Sequence, residues 1–237
     1  MRILLLLISI LGALSFTVSG QPFSTRYQLV KMDKNVNTFH HEAAPVISPD
    51  GKSLYFFVQD HPDNTMGKDD TQDIWVSRKE ESGMWGAAKH LGSPFNVHRS
   101  NQVFTVFPDG SLFIKGGSKK GEKGFSLVSG NSLRELEVKD FKSMNKGRFY
   151  GASMSADRKH IIIYFSEVAN SPNSDLYASH QEPDGSFSKP QKLSLSTSTD
   201  DVGPFIGPDQ KVLYFASARQ SPGRQGGVDI YVSTRED

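Results

Sequence analysis

The 237-residue chain contains no cysteine, so neither disulfides nor thiol-held metal or lipid can support it, and the fold must rest on an ordinary hydrophobic core. Excess charge of either sign is missing too. Lys and Arg number 27 against 26 Asp and Glu, and losing Arg2 with the leader described below leaves 26 against 26. That balance speaks against nucleic acid or an acidic membrane as partner, since both select a basic face. Compact catalytic fingerprints are absent as well: there is no Gly-x-Ser-x-Gly elbow, no Gly-rich phosphate loop and no His-x-x-x-His pair. The longest apolar run, residues 3–16, falls short of the roughly 20 residues a spanning helix needs.

That run reads instead as part of a signal peptide. Met1-Arg2 gives a short positive start, residues 3–16 an apolar body, and Thr17-Val18-Ser19-Gly20 the small residues a peptidase needs. Cleavage after Gly20 is expected, leaving residues 21–237 as one exported domain, periplasmic or extracellular, with no membrane insertion after cleavage. An exported protein without cysteine fits a bacterial envelope better than a eukaryotic secreted module.

The mature chain is built from repeats. Ser48-Pro49-Asp50-Gly51-Lys52-Ser53-Leu54-Tyr55-Phe56-Phe57 recurs as Phe107-Pro108-Asp109-Gly110-Ser111-Leu112-Phe113-Ile114, then around Ser155-Ala156-Asp157-Arg158, and again as Gly207-Pro208-Asp209-Gln210-Lys211-Val212-Leu213-Tyr214-Phe215. From aspartate to aspartate the spacings are 59, 48 and 52 residues, which suits a four-stranded unit. Each unit has an apolar strand, a Pro-Asp turn and a β-prone second strand. A third strand follows, opening on aspartate in Asp73-Ile74-Trp75-Val76-Ser77, Asp175-Leu176-Tyr177-Ala178-Ser179 and Asp229-Ile230-Tyr231-Val232-Ser233. These aspartates are expected to tie down loop amides. Arg158 and Gln210 replace the turn glycine, so those two turns are expected to be strained or of another type.

A fourth strand has an aromatic residue six positions before a leucine, in residues 85–91 and 187–193 and weakly in 133–138. The same frame stands at residues 23–29, ahead of the first repeat, and no copy follows the last. The predicted fold is therefore an all-β propeller with four blades of four antiparallel strands, closed by residues 23–29 pairing beside Asp229 to Ser233. Repeat cores lie near residues 42–79, 100–129, 149–180 and 201–234.

The Ser-Pro-Asp-Gly-Lys-x-Leu-Tyr-Phe pattern followed by Asp-Ile-Trp/Tyr-Val-Ser resembles the TolB-like, WD-like Pro-Asp propeller repeat of exported bacterial proteins. The resemblance is strong in units one and four, moderate in three and poor in two. It implies the fold and leaves the ligand open, because members of that family are often joined to other domains that carry the function.

Propellers bind at the mouth of the central channel, where every blade contributes strand ends and loops. Counting back eight residues from each turn aspartate gives Glu42, Asn101, Phe149 and Asp201, preceded by His41, Ser100, Arg148 and Asp200. His41, Glu42, Asn101, Arg148 and Asp201 are the candidate ligand-binding set; the simpler alternative is that they only satisfy strand-end amides. No catalytic residue and no metal ligand set is assigned, and no cofactor is expected. The acidic loop from Asp60 to Asp73 is a calcium candidate, but it lacks the Asp-x-Asp-x-Asp-Gly order with a closing Glu, and a solvated loop is favoured. The reading is an exported, noncatalytic binding or scaffold module whose partner is an envelope protein or peptide. The alternative is a carbohydrate-active enzyme with Glu42 and Asp201 as acid and base, a role that needs them about 5 to 10 Å apart.

Overall fold

The structure, a computed structural model, describes residues 30–69 and 71–235. The chain divides into one unit over Met1–Lys31 and another over Met32–Asp237, and all described strands belong to the second. The leader and the expected closing strand at residues 23–29 lie outside the described residues.

Nearly all the regular structure is β, arranged as the four blades of a β-propeller. Blade 1 comprises β1 (His41–Ile47), β2 (Ser53–Gln59), β3 (Gln72–Arg78) and β4 (Lys89–His90). Blade 2 holds β5 (Val103–Val106), β6 (Leu112–Lys115), β7 (Phe125–Ser129) and β8 (Ser132–Leu136). In blade 3 are β9 (Gly151–Met154), β10 (His160–Phe165), β11 (Asp175–His180) and β12 (Gln191–Lys192). Blade 4 shows β13 (Asp201–Ile206), β14 (Val212–Ser217) and β15 (Asp229–Thr234) among the described residues. Within each blade the strands run antiparallel in chain order. One short helix, α1 (Phe141–Met144), lies between blades 2 and 3.

The Pro-Asp motif makes the same turn four times. The amides of Gly51, Gly110, Arg158 and Gln210 donate to the carbonyls of Ser48, Phe107, Ser155 and Gly207 at 2.8 to 2.9 Å. Each turn aspartate then accepts from the amide two residues on, at 3.0 Å for Lys52, Ser111, Lys159 and Lys211. Arg158 and Gln210 stand at φ 61° and 59° in the left-handed slot that Gly51 and Gly110 fill at 69° and 78°. The strain expected there is real, roughly 1 kcal/mol per residue, but the turn type is unchanged.

Both side chains have a task that glycine could not perform. Arg158 places Nη2 2.6 Å from Asp109 Oδ2 and its guanidinium 4.2 Å over the Phe107 ring, reaching from blade 3 to blade 2. Burial raises the Asp157 pKa, and the Gln210 side chain lies near enough, from blade 4 to blade 3, to help hold it down.

The core lies between the blades. Between blades 2 and 3 a chain of rings runs Phe113, Phe125, Phe141, Phe165 and Tyr177, with successive centroids 5.5, 5.1, 5.4 and 4.0 Å apart. Phe141 reaches this layer from α1, and burying such a ring contributes roughly 1.5 to 3 kcal/mol. Between blades 1 and 2, Ile74, Val103, Val106 and Ile114 pack with Tyr55 and Phe95. The face of blade 1 turned away from blade 2 carries Leu54, Phe56 and Val58, covered by Met32 and Val36. Adjacent blades touch through β1 and β5, β5 and β9, and β9 and β13, whereas β13 and β1 have no comparable contact among the described residues.

Candidate functional site

The residues that begin each inner strand lie along one rim, and the sequence-predicted set falls there. Asn101 is fully buried: its Nδ2 donates to Asp73 Oδ1 at 2.8 Å and to the His98 carbonyl at 2.7 Å, while its amide donates to Gln72 O. It staples blade 1 to blade 2. Asp201 does the equivalent work between blades 3 and 4, its amide donating to Ser174 O. The Asp201 carboxylate accepts from the Thr197 amide at 2.7 Å, the Ser217 hydroxyl at 2.5 Å and Arg219 at 2.9 Å. Burial pushes its pKa up, but these donors outweigh that and hold it below the usual range.

Glu42 accepts from the amide and hydroxyl of Thr38. Glu42 and Asp201 thus each accept from an amide of their own loop. His41 is exposed, its ring centroid 6.5 Å from that of Phe57. Arg148, with its guanidinium 5.5 Å from the Phe149 ring, is the one member of the set that lines the cavity described next.

That cavity, of about 370 Å³, is built by blades 1, 2 and 3 together. Phe57, Tyr150 and Tyr164 give it aromatic walls, and Arg99, Lys115 and Arg148 supply cations. No carboxylate stands among the described residues lining it. Lys115 ends β6 at the repeat position held by Phe57 in blade 1 and Tyr164 in blade 3. Its Nζ donates to Ser100 Oγ at 3.2 Å and lies 4.7 Å from the Tyr150 ring centroid. Ser100 is fixed in turn by donating to Gln72 Oε1 at 2.6 Å.

Burial, and secondarily the charge of Lys123, lowers the Lys115 pKa to about 8. Among the described residues Lys115 has no carboxylate partner, so an anion entering the cavity would meet a poorly solvated ammonium. Burial raises Tyr150 and Tyr164 to about 12, so both present neutral hydroxyls. Tyr164 reaches its place because position 151 is glycine: a Cβ there would lie 2.5 Å from the ring.

A larger cavity of about 540 Å³ lies beside Glu135, Lys139 and Lys142. Its Lys142 is already engaged, bonding Glu122 at 2.6 Å and Glu135 at 3.0 Å. The rim cavity is the better ligand site for that reason. In the acidic loop, Asp60 accepts from the Thr71 amide, and Asp73 accepts from the Thr65 amide and from Asn101 and lies 2.8 Å from His90 Nε2, so both carboxylates are engaged within the protein. Asp229 likewise accepts from the Gln225 amide, while Asp175 pairs with Lys192 at 2.7 Å. Among the described residues no three His, Asp or Glu side chains converge as a metal site would require.

The chain matches no family model and no curated protein. It does superpose on solved structures. A putative TolB from Agrobacterium tumefaciens matches with a TM-score of 0.50 at 19% identity, over 83% of this chain and 59% of that one. A puromycin hydrolase matches with a TM-score of 0.42 at 14% identity, over 76% and 25%. The periplasmic gluconolactonase of Pseudomonas aeruginosa gives 0.42 at 13%, over 75% and 50%. The chain thus spans between a quarter and three fifths of the lengths of these proteins, and at such identities the likeness is one of fold. No helix among the described residues is long and apolar enough to cross a membrane.

Proposed function

We propose that this chain is an exported, noncatalytic propeller module that binds a protein or peptide of the bacterial envelope by an acidic group seated in the rim cavity. The observation that carries the reading is Lys115, a half-buried lysine with a hydroxyl and an aromatic face beside it and no carboxylate partner among the described residues. A carboxylate would supply the missing charge, with Arg99 at the same wall and aromatic rings to hold an adjoining apolar side chain. Export rests on the leader read in the sequence, and the Pro-Asp repeat resemblance agrees with it.

Calorimetric titration with acetyl-dialanine, as the free carboxylate and as the carboxamide, tests this. The carboxylate should bind and the amide should not. Lys115→Met should weaken binding about tenfold or more, the equivalent of one charge-assisted hydrogen bond. Because Lys115 loses its proton near pH 8, affinity should also fall as pH rises through that value. Equal binding of the amide, or indifference to Lys115→Met, would overturn the reading.

A further inference from the structure

Each junction between neighbouring blades is made from the same three parts: adjacent inner strands, two facing apolar sheet surfaces, and the segment joining the blades wedged between them. Phe95 and Asn96 form the wedge between blades 1 and 2, where Asn96 bonds both the amide and the carbonyl of Ile74. Between blades 3 and 4, Ser196 does the same for Leu176.

Half of such a junction stands at each end of the array. The outer face of blade 1 already has its wedge: Val36 is buried on it, the Asn35 side chain donates to Trp85 O at 2.8 Å, and the Ala88 amide donates to Asn35 O at 2.8 Å. Ile47 stays 55% exposed at the margin of that face, in register with Leu54. The outer face of blade 4 presents Phe205, Tyr214, Ile230 and Val232, which the register puts on one side of the sheet. Ile230 occupies the repeat position of Leu176 and Ile74, both fully buried, yet it is 81% exposed.

Among the described residues these two halves do not cover each other: Ile230 and Ile47 stay exposed, and β13 and β1 have no contact comparable to those between the other inner strands. A strand added at the edge of β15 would lengthen the sheet without covering its face. We infer that the partner for the outer face of blade 4 is the outer face of blade 1 in a second copy of this chain, joined head to tail. Two such junctions, related by a two-fold axis, close a ring of eight blades, within the range that propellers adopt. Closure also answers the hazard of a head-to-tail contact, which otherwise propagates into fibres.

Sedimentation velocity of the purified protein, with single variants at the two exposed positions, decides this. A species of two copies is expected, and Ile230→Glu and Ile47→Glu should each convert it to single copies that keep the wild-type far-UV circular dichroism. A mixture of the two variants should recover a weaker pair, because one of its two junctions remains native. A wild-type protein that sediments as one copy would overturn the inference. So would a pair lost with Ile230→Glu but kept with Ile47→Glu, which would mean that blade 4 faces pack on each other.

Discussion

The inner three strands of blades 3 and 4 pair in the same order and differ in what lies against their outer faces. Leu176 and Ala178 of blade 3 meet the joining segment and blade 4, while Ile230 and Val232, their counterparts, stay 81% and 60% exposed. The repeat therefore fixes which residues are apolar, but a neighbour decides whether they are buried. Hydrophobic stabilisation belongs to the area removed from water, and the same side chain contributes it in one blade and withholds it in the other.

The largest expected effect comes from breaking this comparison by truncation. Leu176→Ala should cost about 2 to 5 kcal/mol. For a domain of this size each kcal/mol lowers the melting temperature by roughly 2 to 4 °C. Ile230→Ala, measured at dilution where copies are apart, should stay within about 0.5 kcal/mol of wild type. Paired thermal denaturation reads the difference, and equal losses at both positions would mean that Ile230 is covered within its own chain.

The turns give a second, smaller contrast. Gly51→Ala should lose about 1 kcal/mol, since alanine then sits at φ 69°. Gln210→Gly relieves the same strain and gives up only a polar approach to Asp157, so its net change should lie within about 1 kcal/mol on the stabilising side. Arg158→Ala keeps the strained backbone and loses the reach to Asp109 and Phe107, so it should destabilise. Urea midpoints for the three variants, ranked against wild type, check the order.

The smallest effect is electrostatic. Burial alone would raise the Glu135 pKa, but the Ser118 hydroxyl and Lys142 more than reverse this and hold it at about 2, against an ordinary 4.5. A depressed carboxylate contributes stability that is present above pH 4.5 and lost as pH falls from there toward 2. Glu135→Gln should flatten that part of the stability-against-pH curve, and an unchanged slope would remove the group from the account.

The fold was legible because its punctuation is chemical: Pro sets one corner of the turn, Asp bonds the next strand, and the aspartate spacing counts the blades. The site was legible only as a location. Counting back from the turns reached the starts of the inner strands, where Asn101 and Asp201 are staples between blades, a role that depends on Gln72 and Ser174 far away in sequence. Lys115 was missed because it adjoins Gly116 and Gly117 and reads as one more lysine of a solvated turn. The signal was nevertheless present. The blade 2 turn is one residue shorter, closing from Phe107 to Ser111 where blade 1 closes from Ser48 to Ser53, and with that allowance a lysine stands where the other repeats have Phe57, Tyr164 and Ala216; only the neighbouring blades reveal that the position faces a shared cavity.

The most direct test of the account is the protonation of Lys115 itself, followed by the pH dependence of its labelling by an amine-reactive reagent, with and without saturating acetyl-dialanine. The account predicts a midpoint near 8 in the free protein, moved upward when the carboxylate is bound. A midpoint at the ordinary 10.5, or one that the peptide leaves in place, would contradict it.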